Sequence, residues 1–368
     1  MKALTSLLLG LCLAAIGGVQ AATTEVFKRA NVDAPPDLII SGVAPVARFA
    51  PFLQTFAERE GLVVSYTERM SNELVPVTFD ADADTDDEIP SPDLILSSAM
   101  EQQLKLVNDG YAQPYRSDVI RELPEWAQWR DELFAYAFEP IVMVINRDLL
   151  AGAELPQSRD QLLQLIRAKG PLVDGKIGMT DIETVGLGYL TWAHDSRQSR
   201  TYGQLLETFG NAHLRLYPDS ESVLQALLKG EIFIAYNLVG SYAFDFSNRY
   251  PWITTVMPAD YTSVLMRTAL IPKSAQHPEA ARRFLDDLLS TSGQARLGEQ
   301  TGLIPVISEA GSSDTFAFLR EKSHGIFRPI PLSLQLLLQT DAEKRRLLLN
   351  EWRAAVYPQQ KPATDSAP

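Results

Sequence analysis

Apolar positions along this chain follow two spacings. Short, nearly continuous apolar runs of strand length stand at 37–41, 62–66, 93–96, 176–179 and 232–235. Between such runs apolar residues recur three and four apart, as in Val46, Phe49, Leu53, Phe56 and Ala57 ahead of Gly61. The first spacing is that of strands buried on both faces and the second that of helices with one covered stripe. The same helical spacing predicts helices over 100–108, 158–168, 220–229, 279–289 and 341–356, and a short one from Gly293. Strands alternating with helices in this order predict an α/β fold built on mainly parallel sheets with crossover helices.

Two places interrupt the pattern in the same way. The stretch LFAYAFEPIVMVINR, 133–147, reads as strand throughout except at Glu139-Pro140. The runs 253–257 and 263–271 flank Pro258-Ala-Asp-Tyr-Thr262. Proline has no N–H to give to a ladder, so each interruption predicts a crossing between two lobes. The expected lobes are residues 22–139 with 258–368, and residues 140–257.

The amino terminus has a different logic. Lys2, the apolar run from Leu4 to Ile16 and the small-residue site Val19-Gln-Ala21 read as a cleavable signal peptide, residues 1–21, and hence predict a periplasmic protein. The single cysteine, Cys12, lies inside it, so the exported part has no thiol for a disulfide. The tail 358–368, rich in Pro, Gln and Ser, reads as frayed.

Composition narrows the function. A length of 368 residues with 46% hydrophobic content suits two globular domains. A net charge of −13 argues against nucleic acid and against anionic lipid. It leaves room for a small anion, which responds to local donors. The acidic run 80–88 has alternating carboxylates, but Thr85 and Ser91 stand where a calcium loop needs Gly and Glu; it reads as a solvated loop. Catalytic signatures are poor: Gly240-Ser241 lacks the flanks of a nucleophile elbow, and His194, His213, His277 and His324 have no metal spacing. The chain reads as a binding protein with no cofactor.

In α/β sheets ligands sit beyond the carboxyl ends of strands. The polar residues expected there are Ser41, Ser97, Ser98, Glu139, Thr184, Gly186, Tyr236, Asn237, Ser241, Tyr242 and Asp260. Each taken alone caps a helix or closes a turn; together they form a polar set, neutral donors except for Glu139 and Asp260, drawn from both expected lobes. The densest cluster follows the run 232–235, where Tyr236, Asn237, Gly240, Ser241 and Tyr242 are read as a polar loop after a buried strand.

Several segments in order resemble the type II periplasmic solute-binding proteins of ABC transporters, in the branch of ferric-iron-binding, hexose-phosphate-binding and phosphoglycerate-transport regulatory proteins. They are the signal peptide, Pro92-Asp-Leu-Ile-Leu-Ser-Ser-Ala99 with Leu106-Val-Asn-Asp-Gly110, Phe138-Glu-Pro140, Gly230-Glu-Ile-Phe-Ile-Ala-Tyr-Asn237 with Gly240-Ser-Tyr242, and Ala280-Ala-Arg-Arg-Phe284 with Gly293-Gln294. The resemblance spans the exported chain. It implies a monomer with two or three hinge crossings that captures a small-molecule ligand by closure, then serves an ABC transporter permease or a membrane sensor kinase. Iron-binding members place two adjacent tyrosines after the strand matching 233–237. Here Ala243 and Phe244 follow Tyr242, and Tyr236 is expected on the opposite strand face. The donor set suits a phosphorylated or carboxylated metabolite; ferric iron, held through Tyr242, and an exported hydrolase are the alternatives.

Overall fold

A computed structural model describes residues 22–74, 91–150, 152–198, 200–307, 319, 323 and 325–357. The signal peptide 1–21, the acidic run 80–88, His324 and the tail 358–368 lie outside these residues. The chain begins with strand β1 (Thr23–Phe27), an edge strand antiparallel to β3. Its polar Thr and Glu side chains suit an edge whose outer face meets water. Strand β2 (Leu38–Gly42), helix α1 (Val46–Glu60), strand β3 (Val64–Glu68), strand β4 (Leu94–Ser97) and helix α2 (Met100–Asn108) follow as the pattern predicts. Gly61, at φ 70°, ends α1 and donates to the Ala57 carbonyl. After a short turn of helix, α3 (Asp118–Arg121), and strand β5 (Gln128–Trp129) comes β6 (Leu133–Asn146), every residue of which is buried.

The second half of the chain holds α4 (Arg159–Lys169), β7 (Ile177–Thr180), α5 (Gly186–Gln198), α6 (Tyr202–Asn211), β8 (Arg215–Tyr217), α7 (Ser220–Leu228), β9 (Ile234–Val239) and α8 (Gly240–Arg249). It ends with β10 (Ile253–Val256), β11 (Thr262–Leu270), α9 (Pro278–Leu289), α10 (Thr291–Thr301), β12 (Ile304–Pro305), β13 (Phe327–Pro329) and α11 (Ala342–Val356).

The strands run in the order β1-β3-β2-β4-β11-β6-β9-β7-β8. β6 belongs to two ladders. From Phe134 to Pro140 it pairs with β11, and from Ile141 to Ile145 with β9. The change of partner falls at Pro140, where the absent N–H matters least. β10 pairs with the second part of β6 and β11 with the first part, so the chain passes between ladders again over residues 257–261.

One apolar cluster covers the first sheet and one face of the second; another fills the opposite face of the second sheet with α4, α5 and α6. The last helix also joins this second cluster through Leu349, Trp352 and Val356. Trp352 meets Trp192 edge-on at 4.8 Å, and Gly210 leaves room for the backbone of Ala355. Helix α11 thus packs against α6 and the outer face of the second sheet. Its apolar stripe shows that it is covered, not by which body.

Candidate functional site

The carboxyl ends of β3, β4, β7 and β9 meet at a cavity of 320 Å³ between the two sheets. Arg69, Met70 and Ser71 reach it from the end of β3, Ser98 from the start of α2, and Arg267 from β11; the facing wall carries Thr180, Leu187, Asp219 and Tyr242. Such a volume suits a small molecule.

Tyr242 lies in the first turn of α8. No loop separates β9 from this helix; the strand runs to Val239 and the helix starts at Gly240. The direct join needs glycine, because a Cβ there would stand 2.6 Å from Pro140 Cγ. The Tyr242 ring is sandwiched by cations, with the Arg48 guanidinium 4.1 Å and that of Arg267 5.2 Å from its centroid. Burial pushes its phenol above the usual value, and the Arg267 and Arg48 charges pull it back. The hydroxyl is buried with no hydrogen-bond partner.

Arg267 is already neutralised. Its Nε donates to Glu139 Oε1 at 2.6 Å, and both side chains are buried. Ser241 completes the group, its hydroxyl donating to Glu139 Oε1 at 2.9 Å and its backbone N–H to Oε2 at 3.2 Å. Glu139 and Ser241 thus lie behind the cavity wall and hold Arg267 and the start of α8 in place.

Tyr236, Asn237 and Asp260 converge elsewhere, on a buried cluster in the second sheet's outer face. Asp195 accepts from four donors: Tyr236 at 2.9 Å, Asn237 Nδ2 at 2.9 Å, Tyr261 at 2.6 Å and Arg159 Nη2 at 3.2 Å. Arg159 Nη1 also meets Asp260 Oδ2 at 3.1 Å and the Tyr261 carbonyl at 2.8 Å. Burial and the Asp195 charge keep the Tyr236 and Tyr261 phenols protonated far above their usual range, against the pull of Arg159. The cluster ties α4, α5 and β9 to the crossing at 257–261.

Sequence reading put Tyr236 and its neighbour on opposite faces, yet both side chains reach Asp195. Asn237 has φ 55°, and the β6–β9 register slips between Val142 and Val144. The slip is a bulge that turns two successive residues to one side. Of the five residues expected in the loop, only Tyr242 lines the cavity.

The remaining expected positions have local partners. Ser97 Oγ accepts from the Ala99 N–H at 3.1 Å, closing the turn that leads into α2, and Thr184 donates to Asp181 at 3.2 Å. Ser41 is buried within β2, two residues before the cavity begins at Val43. The Gly186 N–H is taken by Ser71 Oγ at 2.9 Å across the cleft, and a Cβ at Gly186 would stand 3.0 Å from that oxygen. Ser98 does line the cavity. His194 pairs with Ser263 at 2.8 Å, and burial lowers its basicity.

Among the lining residues that escaped the sequence reading are Arg69 and Thr180. Arg69 has its Nε and Nη2 buried without an acceptor, and Thr180 has its hydroxyl buried without a partner. Both directly end or follow a strand, β3 and β7, the same signal that marked Ser98. Among the described residues no group of three or more His, Cys, Asp or Glu side chains is placed to hold a metal ion, and no helix is long and apolar enough to cross a membrane.

A cavity between two α/β bodies, walled by donors from both, defines a two-lobed binding protein. Residues 38–303 match the bacterial extracellular solute-binding proteins, and the chain belongs to that family. It is similar to the substrate binding protein of the ABC transporter from Agrobacterium tumefaciens, at 29% identity and TM-score 0.83 over 91% of this chain and 99% of that one. The fold is also shared with the periplasmic binding protein AfuA from Actinobacillus pleuropneumoniae, solved with fructose-6-phosphate (16% identity, TM-score 0.68, 87% and 98% covered). Iron-bound HitA from Pseudomonas aeruginosa shares it too (16%, TM-score 0.64, 87% and 99% covered). No curated protein matches the chain in sequence.

Proposed function

We propose that this solute-binding protein captures a phosphorylated or carboxylated metabolite in the cleft between its lobes and holds it by closure. One observation carries the reading. Arg69 nitrogens, the Thr180 hydroxyl and the Tyr242 hydroxyl, from both sides of one cavity, are buried without acceptors. Burying a polar donor unpaired costs about 1–3 kcal/mol, more when charged. Ligand oxygens arriving in the cavity would offset that cost. The fructose-6-phosphate held by AfuA, on the same fold, fits this chemistry.

In this reading residues 22–139 with 258–341 form one lobe, and 140–257 the other, carrying α11. The leader 1–21 exports the chain as a monomer to the periplasm, where it hands its ligand to an ABC permease. A neighbouring fold described as a two-component system protein that mediates signal transduction keeps a sensor kinase as a second partner class. The site binds rather than catalyses: the Ser241 hydroxyl is held by the carboxylate that also pairs with Arg267, and among the described residues no histidine is hydrogen-bonded to it. Ferric iron fits poorly, because two guanidinium groups flank the Tyr242 ring and Tyr236 donates to Asp195.

The test is a thermal-shift and calorimetry panel of sugar phosphates, sugar acids, neutral sugars and ferric citrate on the purified protein. At least one phosphate or carboxylate is expected to raise the melting temperature by a few degrees at saturating concentration. Stabilisation by neutral sugars alone, or a visible absorption band on adding iron, would overturn the reading.

A further inference from the structure

We infer that Arg69 is the residue that reads the ligand's charge, and that the ligand has a single anionic group joined to a neutral, hydroxyl-bearing body. The inference rests on the anion reading above and goes further by counting charge. Two arginines line the cavity, Arg69 and Arg267. Arg267 is neutralised at 2.6 Å by Glu139, so it offers the ligand little net charge. Arg69 has no carboxylate partner among the described residues, and two of its nitrogens are buried without an acceptor. A guanidinium presents a planar fork matched to two oxygens of a phosphate or carboxylate.

The rest of the lining opposes a second anionic group. Glu68, Glu73, Asp219 and Glu221 all border the cavity. Each already accepts one local hydrogen bond or more: Glu68 from Val46 N–H, Glu73 from Met70 N–H, Asp219 from Ser222 and Glu221 from Gln225. Carboxylates retain further lone pairs, and those accept from hydroxyl groups. One uncommitted cation among four carboxylates matches a ligand with one charged end. A molecule with phosphates at both ends would meet repulsion at the far one.

Arg69 is also placed to report on closure. Its backbone N–H is fixed on the Gly42 carbonyl at 2.9 Å, and two residues on, Ser71 accepts the Gly186 N–H from the facing lobe. An anion on Arg69 therefore sits beside a contact that exists only when the lobes are together.

Calorimetry on wild type, Arg69→Gln and Arg69→Lys tests this with glucose 6-phosphate, gluconate, glucose and fructose 1,6-bisphosphate. Wild type is expected to bind at least one of the first two, and to bind glucose and the bisphosphate at least tenfold more weakly (about 1.4 kcal/mol). Arg69→Gln is expected to weaken the preferred anion by about thirtyfold, with Arg69→Lys between the two. The ligand-free melting temperature of each variant shows that the fold is intact. Equal affinity in wild type and Arg69→Gln overturns the role of Arg69 and leaves the anion reading standing. A bisphosphate that binds tighter than the monophosphate overturns the single-charge count. Failure of wild type to bind either anion removes both this inference and the reading beneath it.

Discussion

Tyr242 has a hydroxyl that the fold itself leaves without an acceptor, unlike Tyr236 and Tyr261 of the second lobe. Tyr236 and Tyr261 donate to Asp195, and their loss would leave a carboxylate short of donors. Removing the Tyr242 hydroxyl leaves nothing unpaired. In Tyr242→Phe the ligand-free protein is expected to melt at the wild-type temperature or slightly above. Its affinity for the bound anion should fall about tenfold, read by calorimetry. A lowered melting temperature with unchanged affinity would show that the hydroxyl serves the fold. At this scale the sequence pointed to Tyr242 and Ser98, because a polar residue just past a buried strand stands out. It passed over Arg69, whose strand ends in Glu68, since an acidic–basic neighbour pair reads as ordinary surface. It also offered a clue that was not used: Arg159 opens α4, where a cation opposes the helix dipole. Its partners, the buried Asp195 and the part-exposed Asp260, explain that placement.

At the scale of elements, the bulge in β9 decides which residues meet. That a buried strand lies here was legible from apolar spacing. Its run to Val239, the helix starting at Gly240 and the slip at Asn237 were not, because polar side chains mask a buried strand end and alternation presumes an unbroken ladder. Asparagine is nonetheless among the few residues that take a left-handed backbone readily, and its presence in a buried strand was the available sign. The bulge delivers Tyr236 and Asn237 together to Asp195, so this carboxylate joins α5 to β9, α4 and the 257–261 crossing. Asp195→Ala removes one acceptor and leaves three neutral donors and Arg159 Nη2 unpaired in the core, while Arg159 Nη1 keeps Asp260 and the Tyr261 carbonyl. The expected loss is about 3–5 kcal/mol of unfolding free energy in urea titration. A loss below about 1 kcal/mol would mean that water replaces the carboxylate freely.

Across the whole molecule, the two lobes and α11 come together around Glu101. This residue, in the first turn of α2, is buried with both carboxylate oxygens unpartnered, with Arg345 of α11 and Tyr189 of α5 as its electrostatic neighbours. Burial raises its carboxyl from the usual 4.5 to about 7, against the pull of Arg345. The folded protein then holds a proton between these values that the unfolded chain has released. Stability is therefore fully present below about pH 4.5, declines as pH rises, and levels off above about pH 7. Glu101→Gln should remove that slope and stabilise the protein at pH 8 by about 3 kcal/mol, with no gain near pH 4.5, in melting curves across pH. A parallel pH profile in the variant would show that Glu101 stays ionised.

In the lobe division proposed here the chain crosses between its two bodies within β6 at Pro140, over residues 257–261, and again on the way to α11. Crossings confine the bodies to rotation about a short axis. Each lobe then samples the other as a tethered neighbour at high effective concentration, rather than as a partner to be found. Most of the orientational entropy of bringing Arg69 and Tyr242 to face one another is lost once, when the protein folds. The free energy of each capture is left to distinguish one solute from another.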